Sequence, residues 1–125
     1  MKEDKFNADE ATLSVDLSEA TQAVKDNRFE DALMLFEIIL KDHPNHIDGL
    51  YLASVSSRYL KKFDDAKKYI ERLLMNAPDM GRAYQELGHI NRDMGNEEQA
   101  VIHYRQACEL NPALLASWNS LYQYF

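Results

Sequence analysis

Large apolar side chains between residues 63 and 76 fall three and four apart: Phe63, Ala66, Ile70, Leu73 and Leu74. That spacing places them on one face of a helix. It predicts a helix over about Phe63–Asn76, which Pro78 then prevents from continuing. Upstream, Leu50, Leu52, Ala53, Val55 and Tyr59 give a second helix, about Ile47–Leu60, a broad apolar surface, and Lys61-Lys62 interrupt the pattern. The two helices form one pair.

The same pair recurs on either side. Tyr84, Leu87, Gly88 and Ile90 mark a helix over about Gly81–Met94, and Ala100, Val101, Tyr104, Ala107 and Cys108 mark one over about Glu97–Leu110. Gly95-Asn96 supplies the turn between them, because glycine tolerates the left-handed backbone that ends helices. Towards the N-terminus, Phe29, Ala32, Leu33, Phe36, Ile39 and Leu40 predict a helix over about Phe29–Lys41. Leu13, Leu17, Ala20 and Val24 form the stripe of the helix before it, but Asp16 and Glu19 stand where the next unit has Leu50 and Ala53. A more polar face of this kind suits the end of an array.

The period is 34 residues. It separates Pro44, Pro78 and Pro112, Ala32, Ala66 and Ala100, and the small residues Ala20, Ser54 and Gly88. Small side chains at such positions let helix axes approach closely. The chain therefore divides into a flexible polar tail at 1–12, three units at 13–46, 47–80 and 81–114, and a segment at 115–125.

This pattern resembles the tetratricopeptide repeat, a 34-residue helix–turn–helix unit. Tyr84, Leu87, Gly88, Ala100, Tyr104, Ala107 and Pro112 carry the likeness in the third unit. Leu50, Ala53, Ser54, Ala66, Ile70, Leu73 and Pro78 carry it in the second, and Trp118 and Leu121 match the opening of another. The resemblance implies an all-α fold: a right-handed α-α superhelix of three repeats plus a C-terminal helix. Residues 115–125 read either as a capping helix or as the first helix of a fourth repeat. Tyr122 departs from the pattern, since it holds the place of Ala20, Ser54 and Gly88. A second likeness, carried by the stretch from His43 to Trp118, is to the repeat region that precedes a sulfotransferase domain in some bacterial proteins. Nothing here resembles the phosphosulfate-binding loop of such an enzyme.

Composition narrows the partners. Only 4 glycines and 3 prolines occur, which favours helices over a turn-rich β fold. A formal net charge of −7 argues against nucleic acid and anionic membrane as partners. The lone Cys108 makes no internal disulfide, the N-terminus has no apolar signal core, and no run of about 18 apolar residues exists. A cytoplasmic location is expected.

Catalytic and cofactor motifs are missing. His43 and His46 flank a turn without further ligands at zinc spacing. Glu86 and His89 form half of a di-iron motif whose other half does not occur. Cys108 sits on a core face, where packing is its role. No catalytic residue, cofactor or metal is expected.

The resemblance points instead to a concave groove lined by first helices. Groove positions include Tyr51, Val55, Arg58 and Tyr59 in the second unit, Arg82, Gln85, His89 and Arg92 in the third, and Asn119 beyond. Aromatic, amide and arginine groups of this kind are common in interface hot spots. Arg58, Arg82 and Arg92 either form a positive patch for an acidic segment or pair with Asp48, Glu86 or Asp93. On the first reading, replacing Arg58 and Arg92 together leaves the fold intact.

The family's carboxylate clamp for chaperone C-termini corresponds here to Leu17, Thr21, Leu52, Arg82 and Glu86, of which only Arg82 is compatible. No binding of that type is expected. The leading reading is a protein-interaction scaffold that takes a peptide or partner segment in its groove. The alternatives are a non-catalytic repeat region of a larger enzyme, such as a sulfotransferase, and self-association through the C-terminal helix.

Overall fold

A computed structural model describes the backbone of residues 2–124 and the side chains of residues 12–124. Seven helices follow one another: α1 (Lys2–Lys25), α2 (Phe29–Asp42), α3 (Ile47–Tyr59), α4 (Phe63–Asn76), α5 (Gly81–Asp93), α6 (Glu97–Leu110) and α7 (Leu115–Tyr122). Among the described residues there is no strand. The predicted helices from α2 to α6 appear within a residue at each end. α1 begins at Lys2, so its backbone includes residues 2–12, a stretch whose polar composition predicts a flexible tail. That stretch holds no glycine or proline to break a helix.

Each first helix ends in the same way. Asn27, Lys61 and Gly95, one repeat apart, all take positive φ, at 60°, 62° and 82°. The following amide then reaches back six residues inclusive: Arg28 N to Ala23 O, Lys62 N to Ser57 O and Asn96 N to Asn91 O, each at 2.8 Å. This closing bond satisfies a carbonyl that the helix end would leave unpaired. Second helices stop two residues before each proline, where the amides of His43, Ala77 and Asn111 bond to Ile39, Leu73 and Ala107.

The core lies between the helix layers. Phe36, Ile70 and Tyr104 occupy one register position and are fully buried, as are Ala32, Ala66 and Ala100. Opposite them the small residues vary with the size of what they meet. Ser54 donates to the Ala66 carbonyl at 2.8 Å. Gly88 lies flat against the Tyr104 ring, where a Cβ would come within 2.6 Å of ring carbons. First helices also touch one another, α3 meeting α1 and α5, and α5 meeting α7. They form the row on which the candidate groove residues stand.

Candidate partner-binding groove

Arg58 is the most constrained of the groove residues. It is buried, its Nε donates to Glu86 Oε2 at 2.5 Å, and its Nη1 donates to Asp93 Oδ2 at 3.1 Å. Arg92 pairs with the other oxygen of Asp93 at 3.0 Å. The two arginines are thus neighbours, as their spacing implies, but they meet across a carboxylate. Two positive and two negative groups make the cluster neutral. Burial works against the charge on Arg58, and the carboxylates of Glu86 and Asp93 more than offset it, holding the guanidinium protonated. Burial likewise pushes the Glu86 carboxyl up, against the opposing pull of Arg58.

This geometry corrects the expectation that Arg58 and Arg92 can both be removed without harm to the fold. Without Arg58, Glu86 would be a buried carboxylate lacking its main partner, which is costly. Sequence spacing placed both arginines on the inner helices; it carried no signal of how deeply Arg58 is buried.

The remaining positions fall into two groups. Tyr51, half-buried on α3, lies under the guanidinium of Arg82 from α5, at 4.5 Å from ring centroid to Cζ. Arg82 is exposed, so this cation–π contact forms part of the accessible surface. Tyr59 is exposed and stacks on Phe29 with centroids 4.4 Å apart and planes parallel within 1°. Arg58 packs on the same Tyr59 ring at 4.6 Å. Val55 is half-buried between these aromatic pairs in sequence, and Asn119 is exposed on α7.

Gln85 and His89 are committed to structure. Gln85 Oε1 accepts from Ser117 Oγ at 2.8 Å, which ties α5 to α7. His89 Nδ1 lies 2.7 Å from the Tyr104 hydroxyl. Burial, assisted by Arg58 and Arg92, pushes the pKa of His89 down to about 4, so the ring is neutral near pH 7. Ser117 and Phe29 were not among the sequence candidates. Each acts through a contact with another helix, which spacing within one helix does not reveal.

Other chemistry-bearing groups also have structural partners. His46 Nδ1 caps α3 by accepting from Gly49 N at 3.0 Å. Cys108 is buried, and desolvation raises its thiol pKa. Among the described residues, no group of three His, Cys, Asp or Glu side chains could hold a metal ion, and no helix is long and apolar enough to cross a membrane.

Comparison with known proteins agrees with this architecture. Residues 81–114 match the family model of the tetratricopeptide repeat. The fold is a tetratricopeptide-repeat superhelix. Arabidopsis thaliana Protein NPGR1 is 31% identical over 85 residues, which is 65% of this chain and 12% of that protein. The first such domain of Spaghetti (RPAP3), bound to HSP90 peptide SRMEEVD, superposes with a TM-score of 0.81 at 18% identity, covering 89% of this chain and 88% of that one. The Arabidopsis OM64 domain superposes at 0.83 with 14% identity, covering 90% and 93%. The Sgt2 domain from Aspergillus fumigatus gives 0.82 at 19% identity, covering 90% and 76%. At these identities the structures establish a shared fold.

Proposed function

We propose that this tetratricopeptide-repeat array is a non-catalytic interaction module whose first helices hold a partner segment in their groove. The observation that carries this reading is the accessible surface made by Tyr51 with Arg82 and by Tyr59 with Phe29. It offers the exposed edge of Tyr59 for apolar side chains and the Arg82 guanidinium for a carbonyl or carboxylate, on first helices that the Arg58 cluster ties together. Rigid placement lowers the ordering cost of binding. The similar Spaghetti domain is bound to a peptide, which supports the same use of the fold here.

The partner segment differs in chemistry from a chaperone C-terminus. Glu86 stands at a clamp position and is engaged with Arg58, and Leu52 is packed against the core. Neither supplies a donor for a carboxylate.

A pull-down with the wild-type chain and the Arg82→Glu variant tests the proposal. Arg82 is exposed, so the variant should fold normally. We expect at least one protein to be retained by the wild type and depleted tenfold or more by the variant. Equal recovery of every captured protein by the two would overturn the groove assignment.

A further inference from the structure

We propose that the outer furrow between α2 and α4 is a docking surface separate from the groove, one that takes a short amphipathic helix carrying basic side chains. Among the described residues the backbones of α2 and α4 do not meet; α3 packs against both and leaves the furrow between them. One end is closed, where Arg72 on α4 donates to the Pro44 carbonyl at 2.6 Å and Asn76 to Asn45 Oδ1 at 3.3 Å. Towards the other end, two hollows of about 310 Å³ and 270 Å³ share Glu30 and Leu60 in their walls, so they form one continuous depression. Phe29, Leu33 and Met34 supply the rest of its apolar surface. Met34 is 60% exposed, although the second repeat has Lys68 at the same register position. A thioether on an open helix face adapts readily to a partner's apolar side chain.

The spacing of this wall suits a helix. Glu30, Leu33, Met34 and Glu37 stand at i, i+3, i+4 and i+7, the pattern that one helix shows to another laid along it. The two carboxylates frame the apolar pair and lie roughly 10 Å apart along the axis. A partner helix with basic side chains at the same spacing sets one against each carboxylate. Among the described residues no strand offers an edge to an extended chain, whereas a helix satisfies its own backbone.

Charge selects the partner. Glu30 and Glu37 enter no ion pair among the described residues. Of the two cations lining the depression, Arg28 is paired with Asp26 at 3.5 Å and Asp31 at 3.4 Å, which leaves Lys62 against the two glutamates. Asp65 adds a third carboxylate from α4: burial first, then Glu37 and Asp65, push the pKa of the Tyr69 hydroxyl up. A basic helix therefore meets complementary charge here. A second copy of this chain, at a net charge of −7, does not.

Fluorescence anisotropy of the whole chain with two designed helical peptides, each about 14 residues and roughly 21 Å long, tests the assignment. One peptide carries Lys at i and i+7 around Leu at i+3 and i+4; in the other, Glu replaces each Lys. The basic peptide is expected to bind with a micromolar Kd, and the acidic one at least tenfold more weakly. Glu30→Lys with Glu37→Lys should weaken binding of the basic peptide at least tenfold, and Met34→Ser at least threefold, each with unchanged helical signal. Glu19→Lys with Glu98→Lys makes the same change in net charge elsewhere and should bind like the wild type. No binding of the basic peptide, equal binding of the acidic one, or a folded Glu30→Lys and Glu37→Lys variant that binds like the wild type would each overturn the proposal. So would an equal loss in the Glu19→Lys and Glu98→Lys variant, which would mean attraction to an acidic surface in general. Arg82→Glu should leave peptide binding unchanged; a loss there would put the peptide in the groove and overturn the furrow assignment alone.

Discussion

Arg58 on α3 and Glu86 on α5 form a buried ion pair across the boundary between two repeats, with Nε 2.5 Å from Oε2. Asp93 accepts from the same guanidinium at 3.1 Å and brings Arg92 into the cluster. The pair joins adjacent first helices directly, so it bears on the stability of the array and on how its first helices sit against one another.

Removing one member should therefore cost more than removing both. Arg58→Ala is expected to destabilise the fold by roughly 3–5 kcal/mol, because Glu86 is left buried without its main partner. Replacing the pair with Arg58→Met and Glu86→Leu should recover most of that loss. Urea denaturation of the three proteins decides the matter, and a double variant as unstable as the single would refute it.

Lys61 holds a positive φ of 62° at a site where the third repeat uses Gly95. A non-glycine residue in the left-handed region costs roughly 1–2 kcal/mol, part of which glycine loses again through greater freedom in the unfolded chain. Lys61→Gly should stabilise the protein by about 0.5–1 kcal/mol, and Gly95→Ala should destabilise it by about 1 kcal/mol. Thermal melts of both variants provide the measurement.

Gly88→Ala tests the tightest crossing in the core. The added methyl would sit 2.6 Å from Tyr104 ring atoms, and that ring is fully buried, so it has little room to move. A loss of about 1–3 kcal/mol is expected from overpacking. The same substitution at Ser54 should be milder, since Ser54 already carries a Cβ and loses only its bond to Ala66.

His89 makes stability depend on pH. Its folded pKa lies near 4, below the ordinary 6.5, because burial disfavours the imidazolium. Between these values the unfolded state binds more protons than the folded state, so stability falls as pH drops from about 7 towards 4 and then levels. The linkage is worth about 3 kcal/mol. His89→Gln should flatten this part of the stability profile relative to the wild type, as read from denaturation midpoints at several pH values. Parallel slopes in the two proteins would contradict it.

Much of this architecture could be read from the chain alone. Pro78, Ala66 and Ile70 act within one helix pair, and their recurrence every 34 residues carries that local reading through the array. Second helices and their ends follow from apolar spacing and from proline, which are near-neighbour effects. Lys61 shows the limit of such reasoning. Its neighbours mark an interruption, but a lysine gives no sign of positive φ; the turn acquires that conformation from the bond between Lys62 N and Ser57 O.

The groove depended on contacts between distant parts of the chain. Arg58 and Arg92 belong to the inner helices by register, which spacing alone determines. Whether each faces solvent or a carboxylate depends on how one repeat turns against the next. Glu86 is 28 residues from Arg58 and Asp93 is 35, so no local pattern links them. Periodicity is a property of a single helix and its hydrogen bonds, and it survives in the sequence. Burial and ion pairing arise from superhelical packing, and they exist only once the repeats have assembled.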